Sequence, residues 1–214
     1  MVTISKGQEP QSLTEHREAG GNYKGLVKTE LRLSLVGEQG RVCCYCLKII
    51  PENGLGMHHT KIEHFKCQDD YTELSLEYNN MHIACKGNQG RKPKFQTCDT
   101  RKGNSEIHSF TLLDGSIDNK IEYAKDGTIF SEDEDIDKDI NDILNLNEQN
   151  LKIARNSVIS GLSKRVLALK KKGALKKSTL NKQLAFWSTK QGDSFIEFFA
   201  VAVHYLENEI QKID

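Results

Sequence analysis

Four cysteines, arranged as two separated pairs, are the residues of this sequence best suited to bind a metal ion. Cys43 and Cys46 stand in the C-x-x-C spacing at which two thiolates can reach one tetrahedral zinc ion. Cys85 and Cys98 can complete a set of four sulfur ligands. Because such a closed set leaves no coordination position for a substrate, the spacing predicts a structural zinc site that stabilises the fold and performs no hydrolysis.

The cellular compartment decides how these paired cysteines are interpreted. The sequence contains no run of about twenty apolar residues, and residues 1–24 lack the apolar stretch of a secretory signal. We therefore expect a cytoplasmic protein without a membrane span, in which thiols stay reduced and paired cysteines favour a metal over a disulfide. Of the other two cysteines, Cys44 could replace Cys43 in the set, and Cys67 is interpreted as a core residue. Six ordinary buried cysteines are the alternative.

The segment between the cysteine pairs carries residues suited to phosphodiester hydrolysis. That reaction needs a base to activate water and a cation to stabilise the charge that develops on the phosphate and the leaving oxygen. A neutral histidine such as His64 suits the first role at pH 7, and the adjacent Glu63 suits the second because Mg²⁺ and Mn²⁺ favour oxygen ligands. On a strand, these two neighbours leave opposite faces unless the backbone twists at the strand end. On a helix that begins at Cys98, Asp99 and Lys102 share one face, which places a second carboxylate beside an ammonium that can face phosphate.

Three further histidines lie near these candidates. His58 and His59 precede the segment and are interpreted mainly as neighbours without a chemical role, although one of them could join the metal or orient phosphate. His82 is expected to make a structural hydrogen bond rather than to bind metal.

The charges are distributed very unevenly along the chain, although the net charge is zero. Residues 151–190 contain eleven Lys or Arg and no Asp or Glu, whereas residues 111–150 are strongly acidic. The basic segment could lie on phosphate or on an acidic partner surface. A solvated helix face, neutralised by the acidic segment before it, is the alternative.

Hydrophobic spacing and turn residues predict an α+β fold that is mostly helical. The chain divides into a polar, extended or weakly ordered lead-in (1–25), a core that carries the cysteines (26–110), an acidic connecting segment (111–146) and a helical C-terminal extension (147–214). The predicted elements are a short helix over 26–35, a hairpin around 121–129, a solvated loop over 131–139, and three helices that begin near Asn147, Ser178 and Ser194. Ser194 and Glu197 fit a capping box, while Lys170 to Lys172 and Gly173 fit a helix stop.

Five motifs follow one another between residues 43 and 102. They are Cys43-x-x-Cys46, Ile62-Glu63-His64-Phe65, Tyr78-x-Asn80, Cys85, and Cys98-x-x-x-Lys102. Their order resembles the HNH endonucleases with a zinc-stapled ββα-metal core, and within that group it is most similar to the PtuB family of Septu and retron-associated anti-phage systems. Ile4-x-Lys6 followed by Pro10, the run from Leu31 to Gln39 and the helical extension add support. The specific match covers about residues 30–103.

The resemblance implies a role for each matching residue. His64 would be the general base, Asn80 would brace the loop, and Glu63 would be the acidic metal ligand before the histidine. Asp99 would be the metal ligand at the final position, where the family pattern has His or Asn. Residues 86–97 are an insertion relative to that pattern. Its basic residues could contact nucleic acid or could form an ordinary basic surface loop; they are Lys86, Arg91, Lys92 and Lys94.

The resemblance also implies a function and partners. It implies an endonuclease that depends on Mg²⁺ or Mn²⁺, cleaves nucleic acid (DNA in the first place) in phage defence, and works with a PtuA-like ATPase of the ABC and SMC class. The basic, aromatic-rich C-terminal helices are the candidate surface for that ATPase. An RNA-directed nuclease, a non-catalytic zinc-stabilised nucleic-acid-binding or adaptor module, and a link to a retron reverse transcriptase and its DNA product all stay open.

Overall fold

The computed structural model describes residues 1–51 and 60–213, which form an α+β fold that is mostly helical, as the sequence predicts. The helices are α1 (Gln11–Glu18), α2 (Thr29–Glu38), α3 (Cys98–Lys102), α4 (Glu134–Lys138), α5 (Gln149–Lys171), α6 (Lys177–Ser188) and α7 (Phe199–Gln211). The strands are β1 (Thr60–His64), β2 (Met81–Cys85), β3 (Glu122–Tyr123) and β4 (Ile129–Phe130). None of the described helices is long and apolar enough to span a membrane.

A two-stranded antiparallel sheet carries the central candidate residues. β1 pairs with β2 in a register that sets Glu63 opposite His82 and His64 opposite Met81. Residues 86–97 then lead from β2 to α3, so the chain order here is strand, strand, helix. α2 covers one side of the sheet, where Leu35 and Ile83 are fully buried in the same apolar cluster. The sheet and α3 therefore position both cysteine pairs and the residues between them.

The C-terminal extension is helical, as predicted. α5 ends at Lys171 and is followed by Gly173 with φ 61°, which fits the predicted stop. α6 begins at Lys177, next to the predicted start at Ser178. α5, α6 and α7 share an apolar cluster whose buried members are Leu162, Val166, Leu180, Ala202 and Leu206. The division of the chain into four segments stays a prediction.

The predicted hairpin is present as β3 and β4, and it packs on α5. Its turn brings Gly127 so close to α5 that a Cβ there would collide with the carbonyl oxygen of Lys152. The buried Arg155 side chain donates from Nε to the Gly127 carbonyl oxygen at 2.6 Å. The hairpin is thus held by the close approach of Gly127 to α5, by the Arg155 hydrogen bond and by burial of Ile129 in the main apolar core.

Two segments predicted to lack helix contain one. Residues 1–25 include α1, which begins after Pro10 and buries Leu13 completely. Residues 131–139 include α4, in which Asp133 caps the helix by accepting from the Ile136 N–H, and Ile136 is fully buried. Each of these helices buries one apolar side chain in the core. The other residues of the helix are mostly polar, so the sequence shows no amphipathic pattern that would predict it.

The predicted start of the last helix is wrong. α7 begins at Phe199, after Phe198 in the left-handed region (φ 57°), whereas Ser194 forms an isolated bridge with Gln191. Glu197 does not serve as a capping-box partner, because its Oε1 accepts from the Ile49 N–H at 3.1 Å. A long-range hydrogen bond to the loop of the first cysteine pair therefore replaces the local cap.

Candidate zinc centre and candidate active site

A tight β-ribbon presents the first cysteine pair. Val42 and Ile49 bridge in antiparallel fashion, and the Cys43 N–H donates to the Lys48 carbonyl oxygen at 3.0 Å. The ribbon turns at Leu47, whose N–H donates to the Cys43 carbonyl oxygen at 3.1 Å and whose φ is 61°. This turn aims both thiols of the C-x-x-C motif to the same side.

The four predicted cysteines converge on one point. The Sγ atoms of Cys43, Cys46, Cys85 and Cys98 all lie within 4.8 Å of one another. The Cys46 and Cys85 sulfurs are 3.7 Å apart, and those of Cys85 and Cys98 are 3.8 Å apart. A tetrahedral zinc ion with Zn–S bonds of about 2.3 Å requires sulfur separations of about 3.8 Å. The cluster could therefore hold a metal such as zinc.

The charge state of the cluster also favours a cation. Burial alone would raise the pKa of Cys43, but hydrogen bonds from Cys44 and from the three other cluster thiols, Cys46, Cys85 and Cys98, lower that pKa well below its usual value. Hydrogen bonding to Cys43 raises the pKa of Cys46 and of Cys98. A thiolate at Cys43 therefore makes a second negative charge at Cys46 or Cys98 less favourable, and a bound cation would offset that cost.

The two remaining cysteines lie outside the cluster. Cys44 does not replace Cys43, because the sulfur that completes the set of four is that of Cys43. Cys67 is buried, as predicted, and its Sγ donates to Asp70 Oδ2 at 3.0 Å.

Glu63 and Lys102 form a buried ion pair between β1 and α3. Lys102 Nζ lies 3.0 Å from Glu63 Oε1 and donates to the His64 carbonyl oxygen at 3.1 Å. The Tyr45 hydroxyl, inside the C-x-x-C motif, donates to the same Glu63 oxygen at 2.7 Å. Burial and the nearby Asp99 raise the pKa of Glu63, while the Lys102 ammonium opposes that shift. The Glu63 carboxylate therefore joins the end of β1, the ribbon that carries Cys43 and Cys46, and α3.

Asp99 lies at the start of α3, on the more open side of Glu63. Its Oδ2 is 2.6 Å from Lys61 Nζ, and its side chain is 17% exposed. Both candidate metal-binding carboxylates are thus paired with an ammonium group. Asp99 and Lys102 belong to the same helical segment, as predicted, but they bind different partners.

His64 has its two ring nitrogens in different environments. Nε2 lies 3.1 Å from the Ser75 carbonyl oxygen, which can only accept, so Nε2 carries the proton. Nδ1 therefore keeps a lone pair. The Gln68 amide nitrogen lies 2.8 Å from Nδ1 and 3.2 Å from Nε2, so it contacts both ring nitrogens. Burial lowers the pKa of His64, and the Tyr23 ring contacts it edge-on at 4.6 Å between centroids. The imidazole is therefore held neutral at pH 7 in one orientation.

The candidate ligands are close to one another without forming a compact cage. Among residues 1–51 and 60–213, a single group of three or more Cys, His, Asp or Glu side chains brings all its ligand atoms within 4.8 Å of one another. That group is the four cysteines, so the carboxylates and His64 do not form a second one. Glu63 points to Tyr45 and Lys102, whereas His64 points to Gln68 and Ser75. Neighbouring strand residues thus take opposite directions, as the alternation of a strand requires. His58 and His59 lie outside the described residues.

Asn80 braces the loop that follows β1. Its Oδ1 accepts from the Lys66 N–H at 2.7 Å, and its Nδ2 donates to the carbonyl oxygens of Lys66 and Leu74 at 2.9 and 3.2 Å. The side chain is mostly buried, whereas that of the adjacent Asn79 is exposed. These contacts tie the loop that follows β1 to the residue that precedes β2.

Asn80→Ala is expected to lower the free energy of unfolding by about 1–3 kcal/mol, because buried partners lose their hydrogen bonds. Hydrogen exchange should increase at the Lys66 N–H, which loses its acceptor. Urea unfolding and exchange measurements check both effects, with Asn79→Ala as the control. Equal behaviour of the two variants would contradict the bracing role.

His82 was expected to make a structural hydrogen bond, but its buried Nδ1 has no hydrogen-bond partner among residues 1–51 and 60–213. Burial, together with the charges of Lys6, His64 and Lys102, lowers the pKa of His82 from 6.5 to about 3. The unfolded chain therefore binds a proton at His82 more readily than the folded protein does. As the pH falls from 6.5 toward 3, proton binding favours the unfolded chain and the free energy of unfolding decreases.

His82→Leu should remove this acid-sensitive contribution. Between pH 7.5 and 5.5, the wild type is expected to lose about 1 kcal/mol more stability than the variant. Urea unfolding of the metal-loaded proteins at both pH values measures the difference. Parallel pH profiles would show that His82 is not the responsible group.

The predicted basic residues of 86–97 lie on the surface. Lys86, Arg91, Lys92 and Lys94 are exposed, and none forms an ion pair with another residue in the described part of the chain. Sequence reasoning missed three other groups that shape the site: Tyr45, Lys61 and Gln68. Each acts through a side-chain contact that spacing in the sequence does not reveal.

Comparisons with known proteins leave the site to be interpreted from its own geometry. A neutral histidine and two carboxylates beside a sulfur cluster are compatible with general-base chemistry next to a structural metal. No family model matches this chain, and no curated protein matches it.

Proposed function

We propose that this chain is a divalent-metal-dependent endonuclease that hydrolyses nucleic-acid phosphodiesters, with DNA as the first expectation. The state of His64 carries the proposal. Its Nε2–H is held by the Ser75 carbonyl and its pKa is lowered by burial, so Nδ1 offers a lone pair that can take a proton from water. The Gln68 amide nitrogen lies against the ring, 2.8 Å from Nδ1 and 3.2 Å from Nε2, and a water molecule would displace it in the reacting complex.

Glu63 and Asp99 would hold the catalytic cation. Their oxygens are the ligand type that Mg²⁺ and Mn²⁺ favour, and each already attracts a positive charge, from Lys102 and from Lys61. When bound, the cation would stabilise the negative charge that develops on the phosphate and the leaving oxygen. Lys61, displaced from Asp99, would be free to pair with a substrate phosphate.

The proposed fold of this site is the ββα-metal core of the HNH endonucleases. The order β1, β2, α3, the sulfur cluster beside it and the bracing contacts of Asn80 support that proposal. The proposed role in phage defence, with a PtuA-like ATPase, rests on the motif resemblance. The exposed basic residues of α5 and α6 are the proposed docking surface for that partner.

A non-catalytic nucleic-acid-binding module is the second candidate. The observation in its favour is that both carboxylates are neutralised by lysines and do not enclose a second metal site with His64. A protein that only binds nucleic acid would need the zinc centre and the basic surfaces, but not a neutral histidine with an available lone pair.

Cleavage by the zinc-loaded protein separates the two candidates. Duplex DNA, single-stranded DNA and structured RNA would be incubated with Mg²⁺ or Mn²⁺, with and without the ATPase partner. Cleavage that requires the added cation supports the nuclease, and the substrate cleaved identifies DNA or RNA. Tight binding of nucleic acid without cleavage under every condition would favour the binding module.

A further inference from the structure

The loop between β2 and α3 presents an exposed aromatic ring among positive charges that form no ion pair with the described residues. Phe95 is 38% exposed, and Lys94 Nζ lies 4.9 Å from its ring centroid. The loop, residues 86–97, contains four basic residues and no acidic one. Exposed aromatic side chains in a basic groove are the means by which proteins stack unpaired bases while holding the phosphate backbone.

The backbone that carries Phe95 is unusually well fixed for a surface loop. The carbonyl oxygens of three consecutive residues accept from asparagine amides: Asn145 Nδ2 donates to Lys94 and Gln96, and Asn88 Nδ2 donates to Phe95, at distances of 2.7–3.1 Å. An exposed ring on a fixed backbone loses little conformational entropy when it binds a flat ligand.

The base of the loop is also closed. The Thr97 N–H donates to the Gly87 carbonyl oxygen at 3.0 Å, and Thr100 Oγ1 donates to the Lys86 carbonyl oxygen at 2.8 Å. Gly87 has φ 50° and approaches Thr97 so closely that a Cβ would collide with the Thr97 carbonyl oxygen. The loop is thus anchored directly to α3, the helix that carries Asp99.

We propose that Phe95 is a stacking platform for an unpaired base of the substrate, with the surrounding lysines and arginine bound to its phosphates. Phe95 precedes Asp99 by four residues, which limits the distance between their Cα atoms to about 14 Å. That distance corresponds to about four nucleotides at a rise of about 3.4 Å per step. The platform therefore selects single-stranded, frayed or flipped-out nucleotides near the bond to be cleaved. This inference rests on the proposed action on nucleic acid.

Binding measurements on the zinc-loaded protein without added divalent cation test the platform apart from cleavage. The probe is a single DNA strand of about 12 nucleotides that carries 2-aminopurine, whose emission falls when the base stacks on an aromatic ring. Phe95→Ala and Phe95→Leu are expected to weaken binding about 5- to 100-fold and to abolish the loss of emission, while Phe95→Tyr keeps both within about twofold. Affinity for closed circular duplex DNA should change little. Phe186→Ala, which removes an exposed ring on α6, is the matched control.

The outcomes separate this inference from the proposed function. Unchanged binding and emission in Phe95→Leu would overturn the platform, even if the protein cleaves nucleic acid. Equal losses for the single strand and the duplex, or no binding of any nucleic acid, would also overturn it. A protein that stacks the base through Phe95 but never cleaves would support the platform and refute the nuclease. An RNA strand of the same sequence shows whether the platform distinguishes the two sugars.

Discussion

Cys85→Ser is expected to release the structural metal and to unfold the core around it. The four cysteines come from the ribbon, from β2 and from α3, so their common ion would join these three elements at one point. Binding free energies of structural zinc are about 10–16 kcal/mol, whereas the whole stability of a domain is about 5–15 kcal/mol. Loss of the ion therefore removes a contribution as large as the net stability.

Metal analysis and circular dichroism on the purified variant measure this effect. The wild type should contain one zinc ion for each chain, and a strong chelator should unfold it in a concentration-dependent way. Cys67→Ser is the matched control, because Cys67 is a buried thiol outside the cluster, and this variant should keep its zinc and its fold. A folded Cys85→Ser protein with an unchanged melting temperature would show that the cluster binds no structural metal.

Lys102→Met is expected to destabilise the protein by about 3–5 kcal/mol, because it leaves a buried carboxylate without its ion-pair partner. Glu63 is 1% exposed and Lys102 is 2% exposed, so water cannot replace the lost ammonium. The pKa of Glu63, already raised by burial, should rise further, and the variant should regain part of its stability as the pH falls and Glu63 binds a proton.

A double-mutant cycle isolates the pair. Glu63→Gln removes the charge and keeps an oxygen that can accept from the Tyr45 hydroxyl. The double variant should therefore be more stable than Lys102→Met alone, by about 1–3 kcal/mol. Urea unfolding of the zinc-loaded proteins gives all four values. Additive effects of the two substitutions would contradict a coupled buried pair.

The parts of the structure that the sequence predicted depend on local spacing. The C-x-x-C interval places Cys43 and Cys46 on one tight turn, and the periodic apolar residues of 151–169 form a long helix because each turn buries a residue. The β3–β4 hairpin follows from the turn at Asp126 and Gly127. In each of these cases the deciding residues are neighbours in the chain.

The parts that could not be predicted depend on contacts between distant residues. Glu197 binds the Ile49 N–H across 148 positions, so its spacing from Ser194 was no guide to the start of α7. Tyr45, Glu63 and Lys102 meet only because the ribbon, β1 and α3 fold onto one another. Short helices such as α1 likewise depend on tertiary burial, here of Leu13, because isolated helices of this length are unstable.

Single-turnover cleavage by the wild type, His64→Ala and His108→Ala tests the central claim most directly. His64 is the proposed base, whereas the His108 side chain is 71% exposed and serves as the control. With equal zinc content and folding in all three proteins, His64→Ala should cleave about 10²- to 10⁴-fold more slowly than the wild type, and His108→Ala should match the wild type. Cleavage by His64→Ala at the wild-type rate, or no cleavage by the wild type with either cation and the ATPase partner present, would contradict the assignment of this site as a nuclease.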